Sequence, residues 1–184
     1  MAAAFRAFAA FIRAIGPETH LVMPQAKLCA ACSKAGLAGA KSYIASGNLY
    51  FRSVHPAAEC SRRVSKAIRT FGLERPVFTR DAAALDAIIA ANPFPEAARE
   101  RPSLLSVSLF DEAFDEALVH AVLAWPGPER IVVLPGAVYV DYVAGQGRSK
   151  INPPVIERRL KRVGTARNWN TIVKMRALIG VMEE

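Results

Sequence analysis

A proline-rich, charged stretch over residues 93–102 cuts the chain near its middle, and the apolar pattern runs through the same succession of elements on each side of it. Residues 5–15 read as a strand rich in aromatic and aliphatic side chains, although their alanines also suit a helix, and Gly16-Pro17 breaks it. Residues 24–35 read as a helix closed by Gly36. Residues 42–45 and 49–51 are short strands about the turn Ser46-Gly47-Asn48. Residues 57–71 form an amphipathic helix with Cys60, Val64, Ile68 and Phe71 on one face, stopping at Gly72. A strand over 76–79 follows, and Asp81 caps a helix that turns Leu85, Ile88 and Ile89 inward and ends before Asn92-Pro93.

The order then restarts. Residues 104–110 read as a strand and 115–123 as a helix, ended by Trp125-Pro126-Gly127-Pro128. Residues 131–134 and 138–143 make a hairpin about Pro135-Gly136. The next helix runs to Val163 and ends at Gly164, with Asn152 and Pro153 as an N-cap and first-position pair and Ser149 as an alternative, earlier cap. A last helix opens at Asn168 and buries Ile172, Met175, Ile179 and Met182. Each half therefore reads β-α-β-β-α-(β), the ferredoxin-like order, with only a weak fourth strand in the second half, around Thr165. The expected class is α+β: two ferredoxin-like halves with mostly antiparallel sheets, residues 1–92 and 103–184, joined by a linker over 93–102. The element order repeats without a residue-level repeat.

Between positions 145 and 176 lie nine basic residues and one acid, Glu157, a local charge of +8 that equals the formal net charge of the whole chain. The same stretch holds two polar motifs, Gly145-Gln146-Gly147-Arg148-Ser149-Lys150 and Arg167-Asn168-Trp169-Asn170-Thr171, each read as opening a helix. Cations beside helix N-termini suit an anion. In the first motif glycines let backbone amides approach a ligand, Arg148 offers a planar fork of donors, Ser149 a hydroxyl and Lys150 a point charge. It is not a Walker sequence, whose spacing is absent. In the second, Arg167, Asn168 and Asn170 are the candidate ligand contacts. Trp169 either stacks on a ring or packs into the core. Arg13, Ser46 and Asn48 form a candidate second wall, against the alternative that Ser46-Gly47-Asn48 serves the hairpin alone.

With 52% apolar and 22% charged residues the chain can bury an ordinary core, and its pI of about 9.8 favours an anionic partner. Cys29, Cys32 and Cys60 make a poor disulfide framework, which points to a reducing cytoplasm. Cys29-Ala-Ala-Cys32 falls within a helix and reads as small core residues. His20, His55 and His120 are too scattered to complete a metal site, and no cofactor is implied. No secretory signal and no membrane span are expected. No catalytic base stands out.

Three blocks carry a family resemblance: Ser42-Tyr43-Ile44-Ala45-Ser46-Gly47-Asn48-Leu49, Gly147-Arg148-Ser149-Lys150, and Thr165-Ala166-Arg167-Asn168-Trp169-Asn170-Thr171, with Ala91-Asn92-Pro93-Phe94 as a softer fourth. In them the chain resembles the bacterial domain-of-unknown-function family numbered 1697. Where that family opens with Leu-Arg-Gly-Ile-Asn-Val-Gly-Gly, this chain has Ile12-Arg13-Ala14-Ile15-Gly16-Pro17-Glu18-Thr19, keeping the arginine and losing the paired glycines. The resemblance implies a two-part ferredoxin-like fold and assigns no activity. Three functional classes follow. The leading one is binding of a phosphate-bearing anion, either a nucleotide-like small molecule or nucleic acid. The others are an enzyme acting on a small phosphorylated or carboxylated substrate, and a structural or partner-binding domain. Ligand identity and oligomeric state stay open.

Overall fold

The computed structural model describes residues 4–182. Two compact units divide the chain: residues 1–87 with 174–184, and residues 88–173.

In the first unit β1 (Arg6–Ile12) is followed by α1 (Pro17–Val22), α2 (Gln25–Lys34), β2 (Ala38–Tyr43), β3 (Asn48–Ser53), α3 (Ala57–Arg69) and β4 (Val77–Asp81). The strands lie in the order β2-β3-β1-β4 with every pairing antiparallel, the arrangement a βαββαβ chain gives. Phe8, Leu49, Phe51, Cys60, Val64 and Ile68 meet in its core beneath α2 and α3. α1 was not anticipated from sequence. Gly16 and Pro17 close off the β1 segment as expected but also begin this short helix, with the Gly16 N–H donating to the Thr19 hydroxyl at 3.3 Å. Asp81 caps α4 (Ala82–Ala90), accepting from the Ala84 N–H at 3.0 Å.

The second unit repeats the order: β5 (Leu105–Phe110), α6 (Glu116–Leu123), β6 (Arg130–Leu134), β7 (Ala137–Asp141), α7 (Pro153–Leu160) and β8 (Gly164–Asn168), with sheet order β6-β7-β5-β8 and all pairs antiparallel. The α+β class and the two four-stranded antiparallel sheets thus follow the sequence pattern. Residues 93–102, read as irregular, contain α5 (Pro95–Glu100). α7 stops earlier than expected. Lys161 takes the left-handed conformation at φ 51°, and Gly164 opens β8 instead of closing a helix. A Cβ at Gly164 would come within 2.6 Å of the Phe110 ring, so only glycine lets β8 lie against β5 there. The final helix, α8, spans Trp169–Val181.

Candidate functional site

Residues 142–152 leave β7 at the end of the sheet where β5 begins, and β8 delivers Asn168 to the same end. The two basic motifs therefore emerge from one sheet end of the second unit, separated in the sheet by β5. The first does not open a helix. Gln146–Arg148 form a single 3-10 turn, and α7 starts only after Asn152, whose side-chain oxygen accepts from the Val155 N–H at 3.1 Å. Ser149 does not cap α7. Its hydroxyl donates to the Ile151 carbonyl at 2.8 Å and accepts from the Ile151 N–H at 3.1 Å. The wholly buried Ile151 pins the loop, and Arg148 and Lys150 are left exposed on its outer side.

Arg148, Ser149 and Lys150 line a pocket of about 200 Å³ together with Trp125, Glu129 and the backbone between them. Glu129 is its anionic member. Burial pushes its carboxyl up, but hydrogen bonds from Ser149, the Trp125 indole and the backbone outweigh that and hold it below the ordinary value. The indole donates at 2.8 Å, and the Arg159 guanidinium lies 5.0 Å from the ring centroid on the Trp125 face. Gly127 makes this geometry accessible, since a Cβ there would collide with both the indole nitrogen and the Glu129 carboxylate. Nearby, the buried Tyr142 hydroxyl has no hydrogen-bond partner among the described residues. Burial, with the Glu129 charge second, drives it up to about 12. Sequence reading missed Trp125 and Glu129, because the Trp-Pro-Gly-Pro run carries only a stop signal for α6.

Arg167, Asn168 and Asn170 are not among the residues lining that pocket. Asn168 caps α8, its side-chain oxygen accepting from the Thr171 N–H and the Thr171 hydroxyl, both at 3.0 Å. Trp169 is 8% exposed and packs inward, while Asn170 faces solvent. Arg167 pairs with Val107 in the sheet and donates to the Thr165 hydroxyl at 2.9 Å and the Ala166 carbonyl at 2.7 Å. Burial pulls its guanidinium down to about 10, which leaves it charged at neutral pH. The register exposes a residue-level repeat that the sequence reading did not find. Arg80 pairs with Ala9 as Arg167 pairs with Val107, and each donates to the carbonyl of the residue before it. Asp81 and Asn168 both end the fourth strand of their sheet and cap the following helix by accepting from the residue three positions on. Arg167-Asn168 thus has a counterpart in the first unit at the same strand-to-helix junction.

The three candidate residues of the first unit gather at the other end of its sheet. Arg13 follows β1, and its N–H donates to the Pro76 carbonyl at 3.0 Å. Asn48 is fully buried, and its amide donates to the Tyr43 carbonyl at 3.2 Å and the Ser46 hydroxyl at 2.9 Å. His20 and Gln25 hold the same turn through the carbonyls of Ala45 and Ile44. The cavity beside Gly47 and Asn48 measures about 10 Å³, which is room for one water at most. On α2, burial pushes the Cys32 thiol up to about 12 and raises that of Cys29, the reverse of what an attacking thiolate requires.

A buried carboxylate also escaped the sequence reading. Asp141 is 0% exposed, and Arg101 grips it in two-pronged fashion at 3.0 and 2.6 Å, while Arg130 reaches it at 3.0 Å and also binds Glu96. Burial raises its carboxyl, and the two guanidinium groups more than reverse that. The nearest sequence partner, Arg130, is eleven positions away, so no local motif announced the cluster.

The model of the family described as "Protein of unknown function (DUF1697)" matches residues 5–139. The chain belongs to the DUF1697 family. The matched span takes in the first unit's Ser-Gly-Asn turn and ends before Arg148. Among solved structures the chain is similar to "conserved bacterial protein SP0830 from Streptococcus pneumoniae", with a TM-score of 0.73 and 19% identity over 96% of this chain and 99% of that one. At that identity the likeness establishes a shared fold. No curated protein matches the sequence. No helix among the described residues is long and apolar enough to cross a membrane.

Proposed function

We propose that this DUF1697 member binds a phosphate-bearing anion at the loop carrying Arg148, Ser149 and Lys150. One observation carries the reading: Arg148 and Lys150 stand exposed at the mouth of a pocket, and neither has an ion-pair partner among the described residues. Two desolvatable cations beside a concavity attract an anion. A volume of about 200 Å³ falls short of the range typical for drug-sized ligands, so it suits one phosphoryl group or the end of a longer molecule. Glu129 lines the same pocket as an ionised acceptor and opposes a bare anion. A hydroxyl or ammonium group beside the phosphate complements both sides of the pocket. This favours a small phosphate ester over a uniform polyanion. Arg167 and Asn168 serve this reading as scaffold for the sheet end, and Asn170 is an exposed polar neighbour in sequence.

A thermal-shift series with sulfate, a sugar phosphate, a nucleoside monophosphate and a short oligonucleotide tests it, since a ligand that prefers the folded state raises the melting temperature. The sugar phosphate or nucleotide is expected to stabilise the protein, and Arg148→Ala with Lys150→Ala to abolish the shift. Stabilisation by the oligonucleotide alone, with a steep linear fall of log affinity against log salt, would replace the small ligand by nucleic acid. Absence of any shift, or a shift untouched by the double substitution, overturns the proposal.

A further inference from the structure

Outside the basic loop, a larger concavity of about 700 Å³ runs between α2 and α3 in the first unit. Its walls are single helix faces. Lys27, Ala30, Ala31 and Lys34 lie along one stripe of α2, and Glu59, Arg63 and Lys66 along one stripe of α3. Ala30, Ala31, Ala35 and Ala67 floor the groove with methyl groups. Arg63 closes its base by donating to the Ala35 carbonyl at 2.6 Å and to Glu59 at 2.9 Å, and so is already neutralised. Lys27, Lys34 and Lys66 are exposed and make no ion pair with any described residue. α2 carries no acidic residue at all, so Lys27 and Lys34 have no i, i+4 carboxylate partner on their own helix.

We propose that this groove docks an acidic amphipathic helix of a partner protein. Three features select that occupant. The rims supply positive charge to an anionic partner. The alanine floor lets an apolar helix face approach closely, because small side chains shorten the distance between packed helices. Lys27 and Lys34 are seven residues apart, two helical turns or about 10.5 Å along the axis, and a helix laid beside α2 presents carboxylates at that same interval. A phosphodiester backbone satisfies the lysines and leaves the methyl floor without a complement.

The test uses the full chain and fluorescent synthetic helices of about 15 residues, long enough for four turns. One peptide carries glutamates two turns apart on both flanks of a leucine-alanine stripe, and a second has glutamine in place of each glutamate. A single-stranded oligonucleotide is the third probe. Anisotropy is expected to show the glutamate peptide binding at least about tenfold more tightly than the glutamine peptide, with the gap shrinking as salt rises. Lys27→Glu with Lys34→Glu is expected to weaken binding about tenfold or more, whereas Arg148→Ala with Lys150→Ala leaves it unchanged, which separates this groove from the phosphate loop. Ala31→Trp blocks the floor without altering charge and is expected to abolish binding. Circular dichroism confirms that each variant is folded, and Lys34→Gln serves as the milder substitution if charge reversal unfolds the protein. Equal binding of both peptides, binding indifferent to Ala31→Trp, a dissociation constant weaker than about 1 mM for the glutamate peptide, or binding of the oligonucleotide alone at these lysines overturns the proposal.

Discussion

The two sheets share one topology and close their hairpins in one way, but they are held together by different chemistry. In each, the first strand ends by donating an N–H to the carbonyl of a left-handed hairpin glycine: Ile12 to Gly47 at 2.7 Å, and Phe110 to Gly136 at 2.9 Å. Around Gly47 the first unit builds a network without ion pairs from the buried Asn48 and the half-buried Ser46, His20 and Gln25. The second unit leaves Gly136 loosely surrounded and places a buried carboxylate at the far end of β7, where Asp141 is clamped by two arginines. The helix layers differ as well. In both units an arginine reaches a carbonyl of the neighbouring helix or its cap, Arg63 of α3 to Ala35 at the end of α2 and Arg159 of α7 to Ala121 of α6, yet Trp125 fills space beside Arg159 while alanines leave the α2–α3 groove open. The lesson is that topology constrains backbone hydrogen bonds closely and side-chain chemistry hardly at all, so each unit is free to expose a different surface.

The sharpest way to break this comparison is at Asp141. Replacing it by Asn leaves the two partly exposed guanidinium groups only Glu96 and Glu100 as anionic partners and is expected to cost about 3 kcal/mol, the low end for a broken buried pair, measured by denaturant unfolding. The same substitution should flatten the acid limb of stability. A carboxyl held below its ordinary value contributes fully above the unfolded value near pH 4 and loses its contribution as pH falls through the lower folded value. A wild-type acid limb as flat as that of the variant would show that Asp141 is not a stabilising charge.

Next come the hairpin glycines. A Cβ at Gly47 would stand 2.5 Å from the Ile15 side chain and 3.0 Å from the Ile12 carbonyl, whereas at Gly136 the nearest atom is 3.5 Å away. Gly47→Ala is therefore expected to cost about 3 kcal/mol, combining overpacking with left-handed strain, and Gly136→Ala about 1 kcal/mol from strain alone. Equal losses in thermal melts would mean that the turns are packed alike. Smaller again, Asp81→Ala and Asn168→Ala should each cost about 1 kcal/mol as lost helix caps. If Asn168→Ala left stability untouched but impaired ligand response, that side chain would belong to a binding site and its likeness to Asp81 would be incidental. Smallest of all, Arg148→Ala and Lys150→Ala should shift stability by less than about 0.5 kcal/mol, because both side chains are exposed and unpaired among the described residues.

Much of the scaffold was legible in sequence because local rules govern it. Residues 57–71 show helical spacing, Pro135-Gly136 announces a hairpin, and Asn152-Pro153 marks a helix start, and each of these needs only neighbouring residues to be read. β8 was hard to see because Gly164 resembles a helix stop until Phe110 lies across from it. The likeness of Arg80-Asp81 to Arg167-Asn168 was hidden for the same reason: two residues are too few to detect without the register that aligns them.

The candidate binding surfaces divide along that line. Amino-acid order alone settled the α+β class, most of the strands and helices, and the concentration of cations after position 145, because periodicity, turn chemistry and net charge are properties of the chain itself. Folding decided which of those cations share a pocket, that Glu129 and Trp125 join them, that Asn48 is spent inside a turn, and that Asp141 is buried between two arginines. Such assignments depend on which distant side chains are brought within a few ångströms of one another, and burial and pairing, not residue type, then set what each group is able to do.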